Sequence, residues 1–375
     1  MARKRIPDGF RKRSNGTFEF RFCIGEERYS VYGKTVKECR EKELLKRQKV
    51  AKGIEKRKNP TVKEYADAWL EHRKLQIKES TYRGQKQILG VIGGVVLENG
   101  VKLENTRLCE VNSDDLYRVQ RELLKNRRTK TVNDYMALLR HVFSDACKER
   151  QIDYNPTDPV KSLKITEEAA RNTIHRALTV EEQTAFFEHE RARTSHYYNV
   201  FRLAVLTGMR LGEIGALQNR DIRKKKIHVE RTITRTETGA YRVGENAKTE
   251  AGRRVIPITP KIAEVFANQK QVNEALYGNV TGLNELLFRA PEGGLLMATP
   301  ADREIKRICK KIGVEPFTMH AFRATFATRA IEGGMNPRTL QELLGHSNFN
   351  LTMSLYGHAL PNTLAEEMAK IAIMC

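Results

Sequence analysis

A helix-start signal recurs three times in this chain, as Thr35-Val-Lys-Glu38, Thr61-Val-Lys-Glu64 and Thr179-Val-Glu-Glu182. In each, the threonine hydroxyl can accept from the N–H three residues on, while the glutamate reaches back to the threonine's own N–H. Each pair therefore marks where a helix begins, and what surrounds each start differs. Before the first, Thr17-Phe-Glu-Phe-Arg-Phe22 alternates with the period of a half-buried strand, and Arg28 to Tyr32 can return beside it after a turn at Gly25. The first start opens a basic helix to about Lys52. After the second, Val62, Tyr65, Ala66, Trp69 and Leu70 fall at i, i+3, i+4, i+7 and i+8, which is one apolar helix face.

The pattern predicts a mainly α protein with small β-sheets (α+β), and its length of 375 residues allows two or three domains. A small sheet-and-helix module occupies 1–55 and a polar linker runs from Gly53 to Asn59. An all-helical block covers 60–160, with further helices over Ser113 to Leu124 and Thr131 to Arg150, ending at Asn155-Pro156. The charged stretch from Lys161 to His175 reads as a flexible linker over 161–175, and a C-terminal domain fills 176–375. That domain is expected to be mostly helical, with a small antiparallel sheet built from an alternating segment, Lys226 to Thr234, and from Ala247-Lys-Thr-Glu-Ala-Gly-Arg-Arg-Val-Ile-Pro-Ile258. Its last segment, Leu364 to Met374, places apolar residues on one helical face.

Charge narrows the function classes. The formal net charge is +21, and the first 60 residues hold 19 Lys and Arg against 8 Asp and Glu. Such an excess points to a polyanion and to salt-dependent binding. Ribosomal and membrane-surface proteins share this balance, so charge alone does not name DNA. No stretch approaches the roughly 18 apolar residues of a membrane span, and Met-Ala-Arg-Lys-Arg has no apolar region behind it to act as a signal peptide. A cytoplasmic protein is expected. The cysteines (Cys23, Cys39, Cys109, Cys147, Cys309, Cys375) lack Cys-x-x-Cys spacing and read as reduced thiols.

Four strings in the C-terminal domain carry chemistry: Leu206-Thr-Gly-Met-Arg-Leu-Gly-Glu213, His320-Ala-Phe-Arg-Ala-Thr-Phe-Ala-Thr328, Leu343-Leu-Gly-His-Ser347 and Tyr356-Gly-His358. Attack on a backbone phosphate builds negative charge on the non-bridging oxygens, and fixed donors aimed at them stabilise the transition state. Arg210 and Arg323 suit this role, because a guanidinium stays charged and binds phosphate oxygens two at a time. His320 and Arg323 stand three apart in a helix expected from Thr318 to Ile331, so both can face one point. Glu213 stands three from Arg210 and could orient it from behind. Tyr356 is the candidate nucleophile; a phenol with an ordinary pKa near 10 needs positive surroundings to attack at neutral pH. Taken singly, each of these residues has an ordinary structural explanation, as a solvated arginine, a half-buried tyrosine or a histidine at a helix start.

The ordered set Arg210, Lys248, His320, Arg323, His346, Tyr356 resembles the tyrosine recombinase, or phage integrase, family, in particular the arm-binding integrases of conjugative transposons and phages. The resemblance implies a site-specific recombinase whose tyrosine forms a 3′-phosphotyrosine bond with DNA and releases a 5′-hydroxyl, integrating and excising a mobile element without cofactor or metal. It assigns Arg210, Arg323 and His346 to the phosphate, His320 to proton handling and Lys248 to protonating the leaving oxygen. By residues alone Lys248 is a hairpin lysine able to serve as a general acid. Ala324 stands where many relatives carry a second histidine.

The same resemblance implies an arm-type DNA-binding module over 1–55 and a core-binding domain over 60–160. The partners it implies are double-stranded DNA at core and arm attachment sites, a homotetramer on two duplexes, and accessory excision and DNA-bending proteins. No membrane is involved, and the expected location is the nucleoid of a bacterial or phage-infected cell. The C-terminal segment either docks on a neighbouring protomer or folds back on its own domain. A catalytically silent DNA-binding protein of the same fold is the alternative reading. A relaxing topoisomerase shares the chemistry but has no evident need for the N-terminal module, and no carboxylate cluster marks a metal-dependent nuclease.

Overall fold

A computed structural model describes residues 9–13, 16–25, 27–51, 59–165, 176–245, 252–278 and 282–353. Lys248, Tyr356 and the segment from Leu364 to Met374 lie outside the described residues. The chain divides into two compact units, Met1–Ile165 and Thr166–Cys375.

The first unit opens with an antiparallel sheet of β1 (Phe10–Lys12), β2 (Phe18–Ile24) and β3 (Glu27–Gly33) in the order β1-β2-β3. Phe18 pairs with Gly33 and Ile24 with Glu27, which places the turn at Gly25, where φ is +63°. β1 is a strand that the sequence pattern does not announce. It is held by stacking of Phe10 on Phe20, ring centroids 4.3 Å apart. Phe22 and Val31 of one sheet face are buried with Cys39 of α1 (Val36–Ala51). On the other face Glu19 is buried between Arg13 and Arg21, which bond to its two oxygens at 3.1 and 2.8 Å. α1 starts at the expected threonine, since Glu38 N–H donates to Thr35 Oγ1 at 3.1 Å. The returning carboxylate takes the N–H of Lys34 rather than that of Thr35.

The helical block holds α2 (Val62–Arg73), α3 (Glu79–Gly93), α4 (Ser113–Leu124) and α5 (Thr129–Lys148). The capping box at Thr61 and Glu64 is complete, and Val62, Tyr65, Ala66, Trp69 and Leu70 are the buried residues of α2. Two polar ties fix α2 on α5: Trp69 Nε1 donates to Asp145 at 2.9 Å and Tyr65 Oη to Glu149 at 2.9 Å. Residues 161–165, at the start of the segment read as a linker, are bonded to this block. Gln120 donates to Lys161 O, and Asn133 pairs with both backbone groups of Leu163.

The second unit begins with α6 (Val180–Glu188), capped by the expected Thr179 and Glu182 box. There follow α7 (Glu190–Arg193), α8 (Tyr198–Thr207) and α9 (Leu211–Ile214). The alternating segment from Lys226 splits at Glu230 between two sheets. β5 (Lys226–Val229) joins β4 (Ile222–Arg223) and β8 (Arg254–Pro257) in the order β4-β5-β8, while β6 (Arg231–Arg235) pairs with β7 (Tyr241–Glu245). A buried ion pair between Arg231 and Asp221 sits at this split. α10 (Pro260–Tyr277), α11 (Ala298–Ile312), α12 (Met319–Glu332) and α13 (Pro337–Leu344) complete the unit. Its core centres on Phe186, Phe201, Phe317 and Phe322, with Phe322 edge-on to Phe186 at 5.5 Å. Burying Phe322 of α12 in that cluster fixes the rotation of the helix that carries His320 and Arg323.

Candidate active site

The arginines are placed by two left-handed helix ends. α8 ends at Gly208 with φ +66°, and a Cβ there would stand 2.6 Å from Phe326 Cδ1, so only glycine lets the chain turn toward Arg210. α13 ends at Gly345, also φ +66°, and the next residue is His346. Arg323 joins these ends. It donates through Nη1 to Gly208 O and through Nη2 to Leu344 O, both at 2.7 Å. Its burial lowers the guanidinium to about 9, helped by the charges of Arg210 and Arg254 and opposed by Glu213. It remains a cation at neutral pH.

Glu213, 1% exposed, lies at the centre. Arg254 binds it with both terminal nitrogens, at 3.1 and 2.7 Å, and donates through Nε to Leu343 O at 2.6 Å. Arg210 adds its backbone N–H at 2.9 Å and its Nη1 at 3.0 Å. Burial alone would raise this carboxyl. The Arg254 hydrogen bonds and charge, with the backbone N–H and charge of Arg210, outweigh it and hold the group at about 2. Two guanidiniums thus bond one carboxylate and a third, Arg323, lies within its electrostatic range, leaving a net charge of about +2. Arg210 is the outward member, its side chain 45% exposed.

His346 is half-buried against the same charges. Burial, then Arg323, Arg210, Arg254 and His320, push its imidazole down to about 4, so it is neutral at physiological pH. Gln341 holds its backbone from both sides, and its Nδ1 is 2.9 Å from Thr352 Oγ1. His320 is exposed in the first turn of α12, where Asp302 accepts from the N–H of Met319 at 2.8 Å. A cleft of about 610 Å³ lined by Arg253, Arg254, Arg338, Gln341 and His346 opens beside the arginines. The structure therefore brings together Arg210, Glu213, Arg323 and His346, with His320 in electrostatic range.

Sequence reasoning missed Arg254 and Thr352. Arg254 had a readable signal: in Arg-Val-Ile-Pro it shares the inward parity of Ile256, and a charge at a buried strand position needs a partner. Thr352 had none, being one hydroxyl among many.

Small sheets and helices whose C-terminal unit sets arginines beside one buried carboxylate, with a half-buried histidine next to them, define a cationic site suited to an anion. The sequence pattern described as "Phage integrase family" matches residues 176–363, and the chain belongs to that family. It is 26% identical over 254 residues to the "Transposase from transposon Tn916" of Enterococcus faecalis, covering 64% of this chain and 61% of that protein. It is 28% identical over 250 residues to the "ICEBs1 integrase" of Bacillus subtilis, covering 64% and 65%. The chain thus spans somewhat under two thirds of the length of these relatives. In structure it resembles the Tn1549 transposon integrase in complex with a circular intermediate DNA, at TM-score 0.69 and 23% identity over 84% of this chain and all of that one. It also resembles a lambda integrase dimer bound to a COC′ core site, at TM-score 0.60 and 17% identity over 95% and 96% of the two chains.

Proposed function

We propose that this protein is a site-specific DNA recombinase that integrates and excises a mobile genetic element through a 3′-phosphotyrosine intermediate. The observation that carries the reading is the converged set of Arg210, Arg254 and Arg323 around Glu213, with neutral His346 beside it. It is a fixed, positively charged frame of the kind that a phosphodiester transition state requires. In the reaction, Tyr356 Oη attacks the scissile phosphorus and the P–O5′ bond breaks. Lys248 protonates the leaving O5′, and the phenolic proton is handled by His320. Arg210, Arg323 and His346 hold the non-bridging oxygens. Rejoining reverses these steps, and the bond energy stays in the phosphotyrosine.

The remaining assignments belong to the same proposal. Residues 1–55 bind arm-type sites, 60–160 bind one face of the core site, 161–175 connect, and 176–375 carry the chemistry, in a tetramer on two duplexes in the cytoplasm. The names of the relatives support a conjugative or phage element. The outer face of the N-terminal sheet carries Arg11 on β1, Arg21 on β2 and Arg13 in the turn between them, and a ribbon of that size can enter a major groove. Among the described residues no helix is long and apolar enough to cross a membrane.

A nicked suicide substrate carrying the end of the element, incubated with the protein in EDTA, is expected to yield a covalent protein–DNA adduct that survives denaturation. An adduct seen only with magnesium, or none on any element end, overturns the reading. Removing residues 1–55 is expected to abolish gel-shift binding to arm sites while core-site cleavage stays within about threefold, since those residues have their own small core. Loss of both activities refutes the proposed division of labour.

A further inference from the structure

Two fully buried threonines inside helices of this protein return their hydroxyls to the backbone one turn earlier. Thr207 bonds Leu203 O at 2.6 Å and Thr325 bonds Ala321 O at 2.8 Å. Thr352 differs. It lies in a helical turn over 349–353 and its hydroxyl meets His346 Nδ1 at 2.9 Å. That turn also buries against expectation: Phe349, Leu351 and Met353 are 40%, 55% and 42% exposed, whereas Thr352 is fully buried. The turn is attached through its hydroxyl-bearing residue, to a histidine of the candidate site.

We propose that Thr352 is a positioning residue that donates its O–H to His346 Nδ1, fixing the imidazole with its proton on Nε2. The inference rests on the recombinase reading. A neutral imidazole has one donor and one acceptor nitrogen, and whichever bond one nitrogen makes sets the role of the other. To donate to a phosphate oxygen, His346 must carry its proton on Nε2; Nδ1 is then an acceptor, and a hydroxyl is a group that can fill it. The two alternatives for the same 2.9 Å contact are therefore not equal: if Thr352 accepted from Nδ1–H, Nε2 would present a lone pair to an anion.

The test compares Thr352→Val, which keeps shape and removes the hydroxyl, with Thr352→Ser, which keeps the hydroxyl. In single-turnover adduct formation on the nicked substrate, T352V is expected to slow the reaction roughly 10- to 100-fold, the usual range for loss of a partner that orients a functional histidine. T352S is expected within about threefold of wild type, and DNA affinity is unchanged in both. Nitrogen-15 spectra of the DNA-free protein, with His346 assigned through His346→Gln, should show Nε2 protonated in wild type and T352S, and a tautomer mixture in T352V. Equal rates for wild type and T352V, equal losses for both variants, or protonated Nδ1 in wild type would each overturn the proposal. Should wild type form no adduct, the recombinase reading fails, and the nitrogen spectra still decide the Thr352 contact.

Discussion

Tyr356→Phe is expected to abolish the covalent adduct while binding to core-site DNA stays within about twofold of wild type. The substitution removes one oxygen and keeps the ring, so its effect isolates nucleophilic attack from packing. Nothing else in the gathered set can take over: Arg210, Arg254 and Arg323 are cationic donors, and His346 is turned by Thr352. A loss of roughly a millionfold is typical when a covalent nucleophile is removed, which in a gel assay means no product. Chain geometry is consistent with the assignment, since four residues span at most about 14 Å and Thr352 already touches His346. Denaturing electrophoresis of end-labelled nicked substrate reads the result, and a gel shift on the same samples reads binding. An adduct that persists in Y356F would move the attack to another residue and leave the arginine frame as a binding site only.

What the sequence made legible was what local chemistry determines. The threonine and glutamate pairs marked helix starts because both partners of each box lie within four residues. The face of α2 was readable because apolar spacing alone decides which side is buried. α3 was not foreseen, and its composition explains why. It contains Gly84, Gly90 and Gly93 and has no side-chain cap, so it is helical through the burial of Tyr82 and Ile92 against its neighbours. β1 depends in the same way on a ring stack with a residue ten positions on. In the site, the pairing of Arg210 with Glu213 was readable at three residues' separation. The stronger pairing of Glu213 with Arg254 joins positions 41 residues apart and exists only once α9 and β8 are brought together. Lys248 and Tyr356 rest on the motif order alone.

That long-range pair carries the second large effect. Glu213→Gln is expected to destabilise the C-terminal unit by about 3–5 kcal/mol at pH 7, the range for breaking one partner of a buried ion pair. For a unit of this size that corresponds to a fall of about 10 °C in melting temperature. The amide retains the volume and one acceptor oxygen but turns an N–H₂ toward the Arg254 fork, stranding a guanidinium whose side chain is 4% exposed. The pH dependence identifies the cause. The Glu213 carboxyl sits near 2 in the folded protein and near 4.3 when unfolded, so its contribution is complete above the unfolded value and is lost as pH falls toward 2. Urea unfolding should therefore show a gap between wild type and E213Q that is widest at neutral pH and narrows steadily between about pH 4.5 and pH 2. Because Arg254 also holds Leu343 O and Arg210 shares the same carboxylate, the variant should lose adduct formation more than DNA affinity: the arginines remain charged but no longer aim at one point. A gap that is absent at pH 7, or that does not change with acid, would show that Glu213 is not the group that fixes the arginines.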